Sequence, residues 1–383
     1  MRFFTTLASV LVSAAAFRAV SAHDDHDMTA EELVEYRRNF AVSTRELHTR
    51  CGSQIAARRA KRHAERRRAA GALGKRAILP RDDGLVGNNA SCQLTPEVTQ
   101  GPYHILGELV RQNITQGQGG VPLQVEADFV DYETCEPVIA WIDAWHANAT
   151  GYYSGYIAET GSALSGGGGF SGAGGSGPGG DNSSMSITGS MSMMPTATGG
   201  NASTTTSASY DYTSGADSTS AGSMLDTDVD DEENFLRGAF YTDPNGHLTM
   251  YSIVPGWYSG RAPHFHIKVY PEGYLADNGS FFANGSAVHT GQFFFDMDFY
   301  AEVAALSPYS SNSISWENAT KNADDQWYPY QSAEDYNADM EITYIGETLQ
   351  EGVIGEIVVG LNMSWQSPQL STQWWVNNST DSD

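Results

Sequence analysis

The 383-residue chain is short of cysteine, of positive charge outside one segment, and of long apolar runs. Each shortage excludes something. The apolar run Phe3 to Phe17 is shorter than the roughly 20 residues that cross a bilayer, and no later run is long or apolar enough to do so. The C-terminal STQWWVNNSTDSD is polar, so it carries no lipid-anchor signal. Residues 23–76 hold 13 of the 21 Lys and Arg and 8 of the 46 Asp and Glu. Residues 77–383, excluding those, keep six cations (Arg81, Arg111, Arg237, Arg261, Lys268 and Lys321) against 38 carboxylates. A body so acidic repels nucleic acid and anionic membranes, so neither is expected as a partner. No alternation of strand and helix patterns runs through the body, which disfavours a parallel α/β fold.

What is present begins with residues 1–22, where Arg2, the apolar run and Val20-Ser21-Ala22 form a predicted secretory signal peptide. The mature chain is therefore expected to be secreted and extracellular. Eleven N-x-S/T sequons, at Asn89, Asn113, Asn148, Asn182, Asn201, Asn278, Asn284, Asn318, Asn362, Asn377 and Asn378, fit a glycoprotein. Of three cysteines, Cys92 and Cys135 lie in the body and are the expected disulfide pair, which leaves Cys51 odd.

Residues 28–70 read as a helix, with Thr29 and Glu32 as a capping box and AARRAKRHAERRR near its end. Lys75-Arg76 suits a dibasic protease, so 23–76 is either a propeptide or a retained basic helix lying on the acidic body. Residues 77–383 form the remaining domain, interrupted at 161–225 by a Gly/Ser/Thr-rich insertion with too little apolar surface to order itself. The rest reads as short strands rich in β-branched and aromatic residues: 123–130, 137–147, 247–254, 263–270, 291–297, 341–346 and 355–363. The predicted fold is mainly β, an antiparallel β-sandwich.

One strand carries chemistry. In PHFHIKVY, period-2 alternation sends Phe265, Ile267 and Val269 to one face and His264, His266 and Lys268 to the other. His-x-His on a strand can supply two metal ligands, although paired histidines are often ordinary surface residues. Tyr258 lies six residues before His264, and WHANATGYYSGY (145–156) holds further tyrosines. Two phenolate oxygens with two neutral imidazoles suit a hard trivalent cation better than zinc. With so few cations in the body, Arg261 beside the histidines is not a chance surface residue.

These pieces resemble the intradiol ring-cleavage dioxygenases, in particular their secreted, fungal-type extracellular branch. CQLTPEVTQGPYH (92–104), TCEPV (134–138), WHANATGYYSGY, NFLRGAF (234–240), VPGWYSGRAPHFH (254–266) and GQFFFD (291–296) carry the resemblance, over most of residues 90–365. It implies a non-haem Fe(III) cofactor held by Tyr153, Tyr258, His264 and His266. Tyr258 would act as proton acceptor, Arg261 and Gln292 would contact a small aromatic diol or triol, and Tyr103 would line the pocket. Dioxygen would then cleave the ring between the two hydroxylated carbons to give a cis,cis-muconate. Gln100 and His104 depart from the family's more usual Glu and Tyr, which bears on substrate contacts. Tyr152 should point away from Tyr153. The rival classes are a secreted β-sandwich glycoprotein that binds aromatics or other surfaces without turnover, and a zinc hydrolase, which the sequence serves poorly because no carboxylate base is placed. A copper site at His23 is a weaker candidate, far in sequence from the tyrosines and histidines.

Overall fold

The computed structural model describes residues 30–72, 98–164, 228–332, 336, 338–367, 369 and 373–375. The signal sequence, His23, Cys92, the Lys75-Arg76 pair and residues 165–225 of the insertion lie outside these residues. Within them run α1 (Ala30–Ala72), β1 (Pro122–Asp131), β2 (Trp141–Trp145), α2 (Ile157–Leu164), β3 (Arg237–Tyr241), β4 (His247–Ile253) and β5 (Phe265–Tyr270). Then follow β6 (Gly273–Leu275), β7 (Phe281–Ala283), β8 (His289–Phe293), α3 (Met297–Ala304), α4 (Tyr328–Gln331), β9 (Glu341–Tyr344) and β10 (Val353–Leu361). The first four residues of the expected insertion, 161–164, complete α2.

Two four-stranded sheets, ordered β4-β1-β10-β9 and β3-β2-β5-β8, form the sandwich, and β6-β7 makes a small separate hairpin. Alternation explains the packing. Val125, Ala127 and Phe129 of β1, Leu248 and Met250 of β4, and Ile357 and Val359 of β10 meet Ile142, Ala144, Phe265, Ile267, Val269 and Phe293 of the second sheet in one buried cluster. Burying each larger side chain contributes about 1.5–3 kcal/mol against the entropy of ordering it. The pairings are antiparallel except β1 with β10, which run parallel from Leu123↔Val353 to Asp131↔Leu361. The long stretch of chain between them, which includes the second sheet, permits that crossover.

The residues of β1 and β10 that point away from the core include three carboxylates, Glu126, Asp128 and Glu356, with Val130 and Val358 at one end of the row. α1 covers them. Its inward stripe changes chemistry along its length, from Ala41, Thr44, Leu47, Cys51 and Ile55 to Arg59, Arg62, His63 and Arg66, at three- and four-residue spacing. The apolar half packs on Val130, Cys135 and Val358. In the basic half, Arg59 Nη2 lies 2.7 Å from Glu341 Oε2 and His63 Nε2 lies 2.8 Å from Glu356 Oε1. Arg62 pairs with Asp128, and Arg66 with Glu126. α1 thus lies with its basic half on the acidic face of the first sheet. No helix among the described residues is long and apolar enough to cross a membrane.

One expectation is overturned here. Cys135 bonds to Cys51, not to Cys92. The helix stripe places Cys51 against the turn after β1, in the same apolar cluster as Cys135. The cysteine read as odd is the one that fastens α1 to the sandwich.

Candidate metal centre

The outer face of the second sheet builds the site. His266 and Lys268 alternate outward from β5, with His264 just before its first residue. Across the ladder, His266 pairs with Gln292 on β8 and with Trp145 on β2, and Lys268 pairs with Asp143. The Trp145 indole stacks on the His266 ring with centroids 4.8 Å apart and planes within 5°, which fixes that imidazole's orientation.

Two loops bring the phenols to this row. After β2, Asn148 Oδ1 accepts hydrogen bonds from the Thr150 and Tyr152 backbone N–H groups, at 3.0 and 3.1 Å, and knots the turn that presents Tyr153. This sequon residue thus has a structural task. The loop bearing Tyr258 crosses it closely at Gly256, where a Cβ would lie 2.3 Å from Asn148 O. Only glycine allows that approach. Tyr153 is fully buried whereas Tyr152 is half-buried, so the two neighbours point apart.

Four donor atoms meet at one point. The Nε2 atoms of His264 and His266 are 2.9 Å apart, and His264 Nε2 lies 3.5 Å from Tyr153 Oη and 3.4 Å from Tyr258 Oη. His264 Nδ1–H donates to Ala262 O at 2.6 Å, which leaves the Nε2 lone pair facing the cluster. His266 Nδ1 has no hydrogen-bond partner among the described residues. No group of three or more His, Cys, Asp or Glu with metal-binding geometry occurs among the described residues, so any four-donor set here needs the phenols.

Beside these donors, Arg261 Nη2 donates to Gln292 Oε1 at 2.5 Å, and Gln292 Nε2 donates to Thr99 O at 3.0 Å. Arg261 Nε donates to Asp325 Oδ2 at 2.8 Å. Tyr103 stands with its ring 4.7 Å from that of Tyr153 and 6.1 Å from that of Tyr258. Gln100 and His104 flank the same outward row. Gln100 Oε1 accepts from Lys268 Nζ at 2.9 Å, and His104 Nε2 meets Asp143 Oδ2 at 2.9 Å, with the His104 ring tilted on Trp145.

Electrostatics suits a cation. Burial, then the Arg261 charge, lowers the His264 pKa to about 3; burial and the neighbouring imidazole hold His266 well below its ordinary value. Both are neutral, the form that ligates. Burial raises Tyr153 and Tyr258, and Arg261 opposes the rise in each. Burial favours the protonated phenols, and a multivalent cation held at the shared point would displace those protons. Two oxygen and two imidazole donors therefore fit a hard trivalent metal such as Fe(III).

The fold thus brings Tyr153 and Gln292, from separate stretches of sequence, to the compact set Tyr258, Arg261, His264 and His266. Sequence reasoning missed Trp145 as a ring support, although it stands in the tyrosine motif, and missed Asp325 entirely. Asp325 has no signal of its own, being one of 46 acidic residues and 64 positions beyond Arg261.

No family model matches the chain, and no curated relative matches it. Similar solved structures include an intradiol ring-cleavage dioxygenase from Tetranychus urticae, 23% identical with a TM-score of 0.46, over 74% of this chain and 100% of that one. A catechol 1,2-dioxygenase from Acinetobacter sp. ADP1, inhibited by bound mercury, is 16% identical with a TM-score of 0.34, over 90% of this chain and 84% of that one. The dioxygenase domain of a dioxygenase carbohydrate-binding protein fusion from Streptomyces sp. SirexAA-E is 18% identical with a TM-score of 0.34, over 70% of this chain and 99% of that one. At these identities and scores nothing about this chain's chemistry follows from the likeness.

Proposed function

We propose that the protein is a secreted non-haem Fe(III) dioxygenase of the intradiol type, which cleaves a catechol-type ring between its two hydroxylated carbons to give a cis,cis-muconate-type product. The observation that carries this reading is the convergence of Tyr153 Oη, Tyr258 Oη and His266 Nε2 on His264 Nε2, all within 3.5 Å, beside Arg261. When held by Tyr153, Tyr258, His264 and His266, ferric iron supplies Lewis acidity and a template on which an aromatic diol becomes open to dioxygen.

The chain's own groups do the rest. Tyr258 is half-buried while Tyr153 is fully enclosed, so Tyr258 is the phenol oxygen that can move to take a proton from a substrate hydroxyl. The Arg261 guanidinium stands ready to stabilise negative charge developing on the ring carbon that dioxygen attacks, an effect that is large because the surroundings are dry. Gln292 holds Arg261 in place from the neighbouring strand, and the Trp145 face keeps water from His266. Tyr103 offers its ring as one wall for the substrate. The extracellular location rests on residues 1–22 and the sequons, and the substrate class on the donor set.

The test is the visible spectrum of the secreted protein with iron assayed on the same sample, before and after anaerobic catechol. A tyrosinate-to-Fe(III) band that shifts with catechol, followed by a muconate on admitting air, is the expected result. A protein that stays colourless after iron reconstitution overturns the ligand set and leaves a binding glycoprotein. Zinc retention without colour would point to a hydrolase instead.

A further inference from the structure

We infer that Asp325 is a positioning residue for this centre, fixing the Arg261 guanidinium on one side and the Ala262 peptide that orients His264 on the other. Its catalytic consequence rests on the dioxygenase reading, while its hold on Arg261 rests on geometry alone. The carboxylate is fully enclosed. Oδ2 accepts from Arg261 Nε at 2.8 Å and from the Ala262 backbone N–H at 2.8 Å. Oδ1 accepts from the Trp327 and Tyr328 N–H groups at 2.8 and 3.0 Å and, at 3.4 Å, from Arg261 Nη2. A carboxylate has about four lone-pair sites, and the donors of Arg261, Ala262, Trp327 and Tyr328 fill them here, so it has no freedom to rotate.

That rigidity passes to both neighbours. Arg261 is gripped at Nε by Asp325 and at Nη2 by Gln292, from two separate stretches of chain, and two acceptors define the plane of the fork. The other arm runs through one residue. Ala262 donates its N–H to Asp325, and its carbonyl accepts His264 Nδ1–H, so the same carboxylate holds the peptide that sets the His264 tautomer. A charge buried this deeply persists only if paired, and Asp325 is the buried counter-ion that Arg261 has in place of solvent.

An Asp325→Asn variant keeps the size but replaces an acceptor with an NH2 facing the Arg261 and Ala262 donors. A double-mutant cycle with Arg261→Met separates positioning from general support. Asp325→Asn is expected to lower kcat by about 10- to 100-fold in the natural background, with KM for catechol moving far less. Once Arg261 is already Met, the further loss should be clearly smaller, being only what passes through Ala262 to His264. An equal loss in both backgrounds overturns the inference. In iron-free protein, modification of Arg261 by an arginine-selective dicarbonyl should become several-fold faster in Asp325→Asn, and an unchanged rate overturns it whether or not the protein turns over catechol. Should the variant fail to fold, the wild-type protein still decides. The Arg261 Nε–H resonance, identified by its loss in Arg261→Met, should exchange slowly with solvent, and fast exchange overturns the inference.

Discussion

Each sheet of the sandwich turns an apolar face to the core and a polar row outward, yet the two outer rows end differently. On the first sheet, Glu126, Asp128 and Glu356 meet the arginines and His63 of α1, and each carboxylate has a cationic partner. On the second, His266, Gln292, Lys268 and Asp143 are as deeply buried, but His266 Nδ1, one oxygen of Asp143 and the Gln100 amide nitrogen find no partner among the described residues. Arg62 Nε in the first row lacks a partner among the described residues too, so unused hydrogen-bonding capacity does not separate the rows. Convergence does: the carboxylates of the first row are each paired with a separate cation of α1 and act as a fastening, whereas two imidazole nitrogens and two phenol oxygens meet at one point beside the second, as the proposed centre requires. Buried polarity alone does not distinguish structure from function; convergence of donors on one point does.

The sharpest way to break the comparison is to alter one residue on each face. Tyr258→Phe removes the proton-accepting oxygen and should cost about 10²- to 10⁴-fold in kcat, with the charge-transfer band altered and thermal stability nearly unchanged. Arg62→Ala on the other face should do the reverse, weakening α1 docking while leaving catechol turnover within about twofold. If Tyr258→Phe retains full activity, the second row is as structural as the first.

Next in size is the disulfide. Cys51→Ser opens a link spanning 84 residues and is expected to destabilise the protein by about 2–5 kcal/mol, read from denaturant unfolding. Steady-state turnover at low temperature should not change, because no described side chain of α1 bonds to the donor cluster. A loss of activity matching the loss of stability would mean that the two faces communicate through the core. Non-reducing electrophoresis adds a simple check: a chain cut between α1 and the body should run as one species until the disulfide is reduced.

How much of this was legible in sequence follows from what each feature depends on. Period-2 alternation is local, so PHFHIKVY showed which residues face the core and which face the site. The seven predicted strands correspond to β1, β2, β4, β5, β8, β9 and β10. The three-residue β6 and β7 are too short to show a period, and the partners of β3 are set by tertiary pairing. The parallel pairing of β1 with β10 depends on topology and leaves no local pattern. The pairing of Cys51 failed for a related reason. Cys92 and Cys135 share the β-rich body and so look like the pair, whereas the stripe running from Leu47 through Cys51 and Ile55 to Arg59 and Arg66 carries the information that α1 docks. Asp325 was out of reach because an acidic residue in an acidic chain has no distinguishing mark until the fold sets it against Arg261.

The smallest effect is also the most selective between the faces. Burial alone would raise Glu356, but the His63 hydrogen bond and the Arg59 and Arg66 charges hold it down to about 2, against an ordinary value of 4.5. A carboxyl depressed on folding contributes stability that is complete above its unfolded pKa and lost as pH falls through its folded one. The hold on α1 should therefore weaken between about pH 4.5 and 2, by about 3 to 4 kcal/mol at most from this group. Glu356→Gln should flatten that part of the stability-versus-pH curve, and amide exchange should show α1 opening before β5 and β8. If β5 and β8 lose protection together with α1 as the pH falls, the fastening and the donor cluster are one cooperative unit, and the two faces are not independent.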